Sequence, residues 1–171
     1  MGFFDALTGT RRPADGVEPG SAEELRKALL GLNGPDVPYA VRYGAGDGGA
    51  HLVAEWRVAE PVWQGLFLDS RLTHTLRFRL RLVPQSHEVR VVQEYGEVTR
   101  VGSPPRLVVS GQYTRGQGRT VSRQWVLGGG ADGGPRATET FRFDTADLRD
   151  PLRDTVLASG WIWRGVAFGS L

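Results

Sequence analysis

The sequence predicts an α+β fold, a strongly curved antiparallel sheet or partly closed barrel of about 7–8 strands with about three helices. Three observations lead there. A capped apolar stripe of helical spacing follows Ser21, and a second helical pattern surrounds Asp150. Between them the period is two, from Tyr39 to Phe143. Turns rich in Gly and Pro interrupt that alternation at hairpin spacing.

Residues 1–20 end in RRPADGVEPG, a charged, Pro- and Gly-rich stretch without periodicity, and read as a flexible N-terminal arm. Its apolar start, with Phe3, Phe4 and Leu7, is expected to dock on the domain, a partner or a membrane surface. Residues 21–171 read as one β-rich domain. Ser21 and Glu24 have capping-box spacing. Leu25, Ala28, Leu29 and Leu32 then form one stripe, which Asn33-Gly34-Pro35 stops. Tyr39, Val41 and Tyr43 alternate as a strand. After a glycine-rich turn, Leu52, Ala54, Trp56 and Val58 face one way and His51, Val53, Glu55 and Arg57 the other. The two strands read as a hairpin.

Pro61 suits a first helical position, and the pairs Val62/Leu66 and Trp63/Phe67 stand at i, i+4, so a short helix is expected within 60–72. In the next strand Leu76, Phe78, Leu80 and Leu82 alternate with Thr75, Arg77, Arg79 and Arg81. One of its faces must be core. Pro84-Gln85-Ser86-His87 returns a strand from Glu88 to about Val101, and its phase slip near Val91-Val92 suggests a bulge. Strands centred on Val109, Arg123 and Glu139 follow, so the whole run reads as a meander of five strands. Asp150 is expected to cap a helix with Pro151 in its first turn, and Gly160 to close it. The apolar segment from Trp161 to Phe168 reads as a final strand or buried tail.

With 40% apolar and 23% charged residues, the 171-residue chain has the composition of a folded protein. It contains no cysteine, which excludes disulfides, thiolate metal sites and cysteine nucleophiles. No basic leader precedes an apolar run, and no apolar run reaches the ~18 residues of a membrane span, so a cytoplasmic location is expected. Lys27 is the sole lysine among 21 basic residues, and Asn33 is the sole asparagine. That bias is how a GC-rich genome spells any protein. The net charge of +2 is too small to drive nucleic-acid binding unless the positive charges are segregated.

The glycine patterns Gly44/Gly46/Gly49 and Gly128/Gly130/Gly133 match a dinucleotide fingerprint, but strands rather than helices follow them, so loop geometry explains them. His51, His74 and His87 lack metal-site spacing, and no metal or cofactor is expected. Asp144, Asp147, Asp150 and Asp154 surround one helix start, where capping already demands acids. Glu94, Glu97 and Glu139 read as cross-strand partners of arginines. Arg77, Arg79 and Arg81 project from one sheet face about 7 Å apart. With Arg123 and Arg142 on the same face, they would hold an anion or a partner. Trp56 and Trp63 fill a core or line an apolar pocket.

The opening Met1-Gly2-Phe3-Phe4-Asp5 and the closing Gly160-Trp161-Ile162-Trp163-Arg164-Gly165-Val166-Ala167-Phe168 resemble small proteins of high-GC actinobacteria, a likeness that implies no particular activity. The element order is similar to tubby-like and scramblase-like barrels and to helix-grip (START-like) folds, which implies strands wrapped on a helix. The expected function is a non-enzymatic binding module for a protein partner, a second copy or a small apolar ligand. The partner contacts would be Phe3, Phe4, Leu7 and the arginine face. The alternatives are an enzyme using a pocket carboxylate or histidine, with His74 or Glu94 in that role, and an anion or nucleic-acid binder.

Overall fold

The computed structural model describes residues 9–45, 49–116, 121–129, 135–166 and 171, with 121–129 and 135–143 described through their backbone alone. The N-terminal residues Phe3, Phe4 and Leu7 therefore lie outside the described residues.

Helix α1 (Ala22–Leu30) begins where the sequence places it. The Ser21 hydroxyl accepts from the Glu24 amide, and the Glu24 carboxylate accepts from the Ser21 amide. The Ser21 amide, and with it the Ser21 hydroxyl, donates to the Glu24 carboxylate and pulls that carboxyl below its ordinary range. Strands β1 (Tyr39–Tyr43) and β2 (Leu52–Trp56) form the expected hairpin, and α2 (Pro61–Asp69) has Pro61 at its start. Strand β3 (His74–Val83) pairs antiparallel with β4 (Glu88–Val101), and β4 with β5 (Arg106–Arg115). Strands β6 (Val121–Gly129) and β7 (Pro135–Asp144) follow, then helix α3 (Thr145–Ala158) and strand β8 (Ile162–Gly165).

Among the described residues the architecture is α+β with three α-helices, but the main sheet is open and mixed rather than a partly closed antiparallel barrel. Its order is β1-β2-β3-β4-β5, and β8 lies parallel to β4. The outer edge of β4 is shared: Glu88–Val91 pair with β8, and Glu94–Val101 pair with β5. The expected five-strand meander stops at β5, because among the described residues β6 and β7 pair with each other as a separate hairpin. Part of the reason lies in the outer edge of β5. The Gln64 side chain gives and receives a hydrogen bond at the Leu107 backbone (3.1 and 2.8 Å), and Ser110 Oγ accepts from the Gln112 amide where the β4–β5 register shifts. At the opposite edge Asn33 does the same for Val41 of β1, with bonds of 2.8 and 2.7 Å. Both outer strands are thus blocked by a side-chain amide that satisfies an otherwise open edge.

All three helices cover one face of this sheet. Leu25 and Leu29 of α1, Phe67 of α2, and Leu148, Leu152 and Val156 of α3 are buried in one core with Leu52, Phe78, Leu80 and Val89 of the strands. The expected bulge near Val91-Val92 is absent, since β3 and β4 keep one register from Glu88 to Glu97. The register shift lies between Gly96 and Val98, on the β5 side. Val91 and Val92 are both buried because the second face also carries a small apolar cluster there, of Ala50, Val53, Val92 and Leu171. Helix α3 begins at Asp144 rather than Asp150: Asp144 and Asp147 form a capping box, and Pro151 sits inside the helix.

Residues 9–20, expected as the second half of a mobile arm, are tied to the domain. Arg11 exchanges backbone hydrogen bonds with Trp163 (2.8 and 2.9 Å), and the Gly20 amide donates to Ser159 (3.0 Å). Among the described residues no helix is long and apolar enough to cross a membrane.

Candidate functional site

Strand register decides what the second sheet face presents. Arg77 opposes Glu94 across β3 and β4, Glu55 opposes Arg77 across β2 and β3, and Arg115 opposes Glu94 across β4 and β5. Alternation then puts Arg79, Arg81 and Arg90 on the same face, with Arg42 of β1 at one side and Arg164 of β8 at the other.

Glu94 is the centre. Its carboxylate accepts from Arg77 Nε at 2.7 Å and Arg79 Nη1 at 3.0 Å, and Arg115 Nε stands 4.0 Å away. The Glu94 and Arg79 side chains are only 6% and 10% exposed. The Arg77 guanidinium carbon lies 3.7 Å from the Tyr113 ring centroid, a cation–π contact. Gly96 makes room for it, because a Cβ there would stand 2.9 Å from the Tyr113 ring. Burial raises the Tyr113 phenol above its ordinary range, and the nearby Glu55 adds to that. A second buried carboxylate, Glu88, accepts from Arg90 (2.8 Å) and Arg164 (2.9 Å). Arg42 pairs with Glu55 at 3.0 Å, and Arg81 Nη1 donates to the Leu171 carbonyl.

The arginine row is therefore partly an internal lattice: Arg77 and Arg79 are engaged by Glu94 and Arg81 by the backbone of Leu171. Arg81 nevertheless stays exposed, and further solvent-facing cations join it that strand alternation alone did not single out. Side chains of Arg42, Arg90, Arg115 and Arg164 are 45%, 42%, 41% and 55% exposed. Arg123 and Arg142 are paired with each other in the β6-β7 hairpin, apart from this sheet. Trp56 packs edge-on to Tyr39 and Phe67 within the core, and Trp63 lies half-buried against it.

The two candidate acid–base groups differ in their surroundings among the described residues. His74 is exposed, with Nδ1 3.1 Å from Thr73 Oγ1, and Glu97 opposes it in register. Glu94 is held by the two guanidinium groups. Asp150 and Asp154 pair with Arg149 and Arg153 at 2.8–3.1 Å, and among the described residues no three ligand-type side chains cluster as a metal site would need.

Glu88 and His51, beside the exposed Glu24, shape the acid response. Burial opposes ionisation of Glu88, but the hydrogen bonds and charges of Arg90 and Arg164 outweigh it and hold the carboxyl below its ordinary 4.5. His51 Nδ1 accepts from the Leu82 amide at 3.2 Å, and burial with Arg26 and Arg81 pushes its titration below 6.5. For both groups the unfolded chain binds the proton first, so stability is lost as pH falls. Melting temperature is expected to be steady above pH 6.5, to fall slightly below it through His51, and to fall further below 4.5 through Glu88. A thermal series on wild type and His51→Gln checks this, since the variant should lose the first step alone.

Comparison with known proteins finds no match: no family model fits the chain, no curated protein is a detectable relative, and no solved structure matches its fold.

Proposed function

We propose that this protein is a non-enzymatic binding module whose second sheet face captures an acidic segment of a protein partner. The observation that carries the reading is charge segregation. The chain as a whole has a net charge of only +2. On this one face, Arg42, Arg77, Arg79, Arg81, Arg90, Arg115 and Arg164 outnumber the carboxylates Glu55, Glu88 and Glu94 among the described residues. Arg42, Arg90, Arg115 and Arg164 each stand within 4.0 Å of Glu55, Glu88 or Glu94 and still keep 41–55% of their side chains exposed, so their outer N–H groups can take further carboxylates as charge-assisted contacts.

Two features favour an acidic protein segment over RNA or an apolar ligand. Among the described residues, Tyr113 on this face already stacks on Arg77 rather than offering a platform for a base. Trp56, the aromatic expected to line an apolar pocket, is spent in the core against Tyr39 and Phe67.

Fluorescence anisotropy tests the reading with a labelled glutamate-rich peptide, a neutral peptide of equal length and a single-stranded RNA. The acidic peptide is expected to bind, with affinity falling as salt rises. Replacing Arg42, Arg90, Arg115 and Arg164 together by Ser should weaken it by tenfold or more, at about 0.5–1 kcal/mol per exposed pair. Undiminished binding by that variant, or a preference for RNA at every salt concentration, would overturn the assignment.

A further inference from the structure

Asn33 has a structural duty that its chemistry endangers. The side chain follows the end of α1 and is exposed, yet its amide makes three hydrogen bonds to the backbone. Its Nδ2 donates to the carbonyls of Leu30 (2.9 Å) and Val41 (2.8 Å), and its Oδ1 accepts from the Val41 amide (2.7 Å). It is thereby the clasp that closes the outer edge of β1 and caps the carbonyl end of α1 at once. The next residue is Gly34, whose missing Cβ leaves its backbone nitrogen free to approach the Asn33 side chain.

We infer that Asn33 is a site of spontaneous deamidation and that the reaction unclasps β1. The Gly34 backbone nitrogen gives up its proton and attacks the Asn33 side-chain carbonyl carbon. A C–N bond closes a succinimide ring, and the side-chain nitrogen takes up that proton and leaves as ammonia. Water then opens the ring at either carbonyl, giving aspartate or isoaspartate. No oxidant, metal or enzyme is needed, and water reaches this exposed residue directly.

The product reverses the polarity of the clasp. An oxygen replaces the Nδ2 that two carbonyls share, so the Leu30 and Val41 carbonyls lose a donor and face a carboxylate instead. The isoaspartate product also lengthens the backbone by one carbon and moves the remaining oxygen away from the Val41 amide. In the intact chain the three hydrogen bonds hold the side chain away from attack, so conversion proceeds through transient opening of the clasp and is slower than in a free peptide.

The sequence makes the test clean. Asn33 is the only asparagine, and trypsin cleavage after Lys27 and Arg42 releases the fragment Ala28–Arg42, which contains no glutamine. The full-length protein is aged at mildly alkaline pH beside Gly34→Ala, a change with room for its Cβ because the nearest atom, Val37 Cγ2, lies 3.9 Å away. The wild-type fragment is expected to gain the mass increment of an amide-to-acid conversion, and the variant to gain it several-fold more slowly. In the converted wild-type chain the Val41 amide should exchange with solvent about tenfold faster, while the aged variant keeps its protection. Two results overturn the inference: a wild-type fragment that stays unconverted while the free peptide converts, or a converted chain whose Val41 amide is as protected as before.

Discussion

Glu94→Gln is expected to lower the unfolding free energy by about 3–5 kcal/mol, the cost of removing one member of a buried ion pair and leaving the other without its counter-charge. The substitution preserves shape and one acceptor oxygen, so packing is not what changes. The carboxylate charge that Arg77 and Arg79 both bind is what disappears. Their guanidinium groups lie at 2.7 and 3.0 Å from Glu94, and Arg115 is held only 4.0 Å away, so three positive charges would converge on a neutral amide. For a chain of this length the loss corresponds to a fall in melting temperature of roughly 6–20 °C. Thermal and denaturant unfolding of the single variant measures it. The double variant Glu94→Leu with Arg79→Leu separates charge from packing, because removing Glu94 together with its more buried partner should recover part of the loss, while Arg77 keeps its contact with Tyr113. A Glu94→Gln protein within about 0.5 kcal/mol of wild type would mean that the lattice is solvent-screened and contributes little.

That lattice was legible in the sequence only by half. The alternation of Leu76, Phe78, Leu80 and Leu82 with arginines fixed which face of β3 is core, and it is so. Alternation within one strand says nothing about what stands opposite, so Glu94 as the shared acceptor emerged only from the cross-strand register. The same limit hid Arg115, Arg42 and Arg164, which enter the face from three other strands. The parallel docking of β8 on β4 was hidden for a related reason: a short apolar segment such as Ile162–Gly165 carries no mark of its direction or partner.

Local signals fared according to their chemistry. The Ser21/Glu24 pair announced α1 correctly because a capping box is a purely local device. The equivalent pair at α3, Asp144 and Asp147, was present but was outweighed by Pro151, which reads as a first-turn residue. The helix tolerates that proline in its second turn, and the start is marked by side-chain hydrogen bonds of Asp144 and Asp147. The break at Val91-Val92 misled in another way. Burial on both faces of one strand erases the alternation just as a bulge does, and only the Ala50, Val53 and Leu171 cluster tells them apart.

Trp161→Ala is expected to cost about 3–5 kcal/mol through the cavity it leaves. The side chain is fully buried, the ring packs edge-on to His87 at 5.4 Å, and Nε1 donates to the Gly20 carbonyl at 2.8 Å. The alanine variant leaves that carbonyl without its indole donor, which adds to the loss. Trp161→Phe keeps most of the volume and loses the hydrogen bond, so its cost should be markedly smaller. The damage should also be local in a readable way. Gly160 takes a positive φ of 74°, and a Cβ there would stand 2.5 Å from the Glu18 carbonyl oxygen, so the chain after α3 and the segment before α1 are pressed together at this point. Gly20 donates to Ser159 on one side of the contact, and Arg11 bridges to Trp163 on the other. With the indole gone, residues 9–20 lose their central anchor, and trypsin should cut after Arg11 much faster than in wild type under conditions where the rest of the chain stays folded. Equal cleavage of the alanine variant and wild type would mean that the Arg11–Trp163 bridge alone holds this segment, and the tryptophan would then be a core residue without a tethering role.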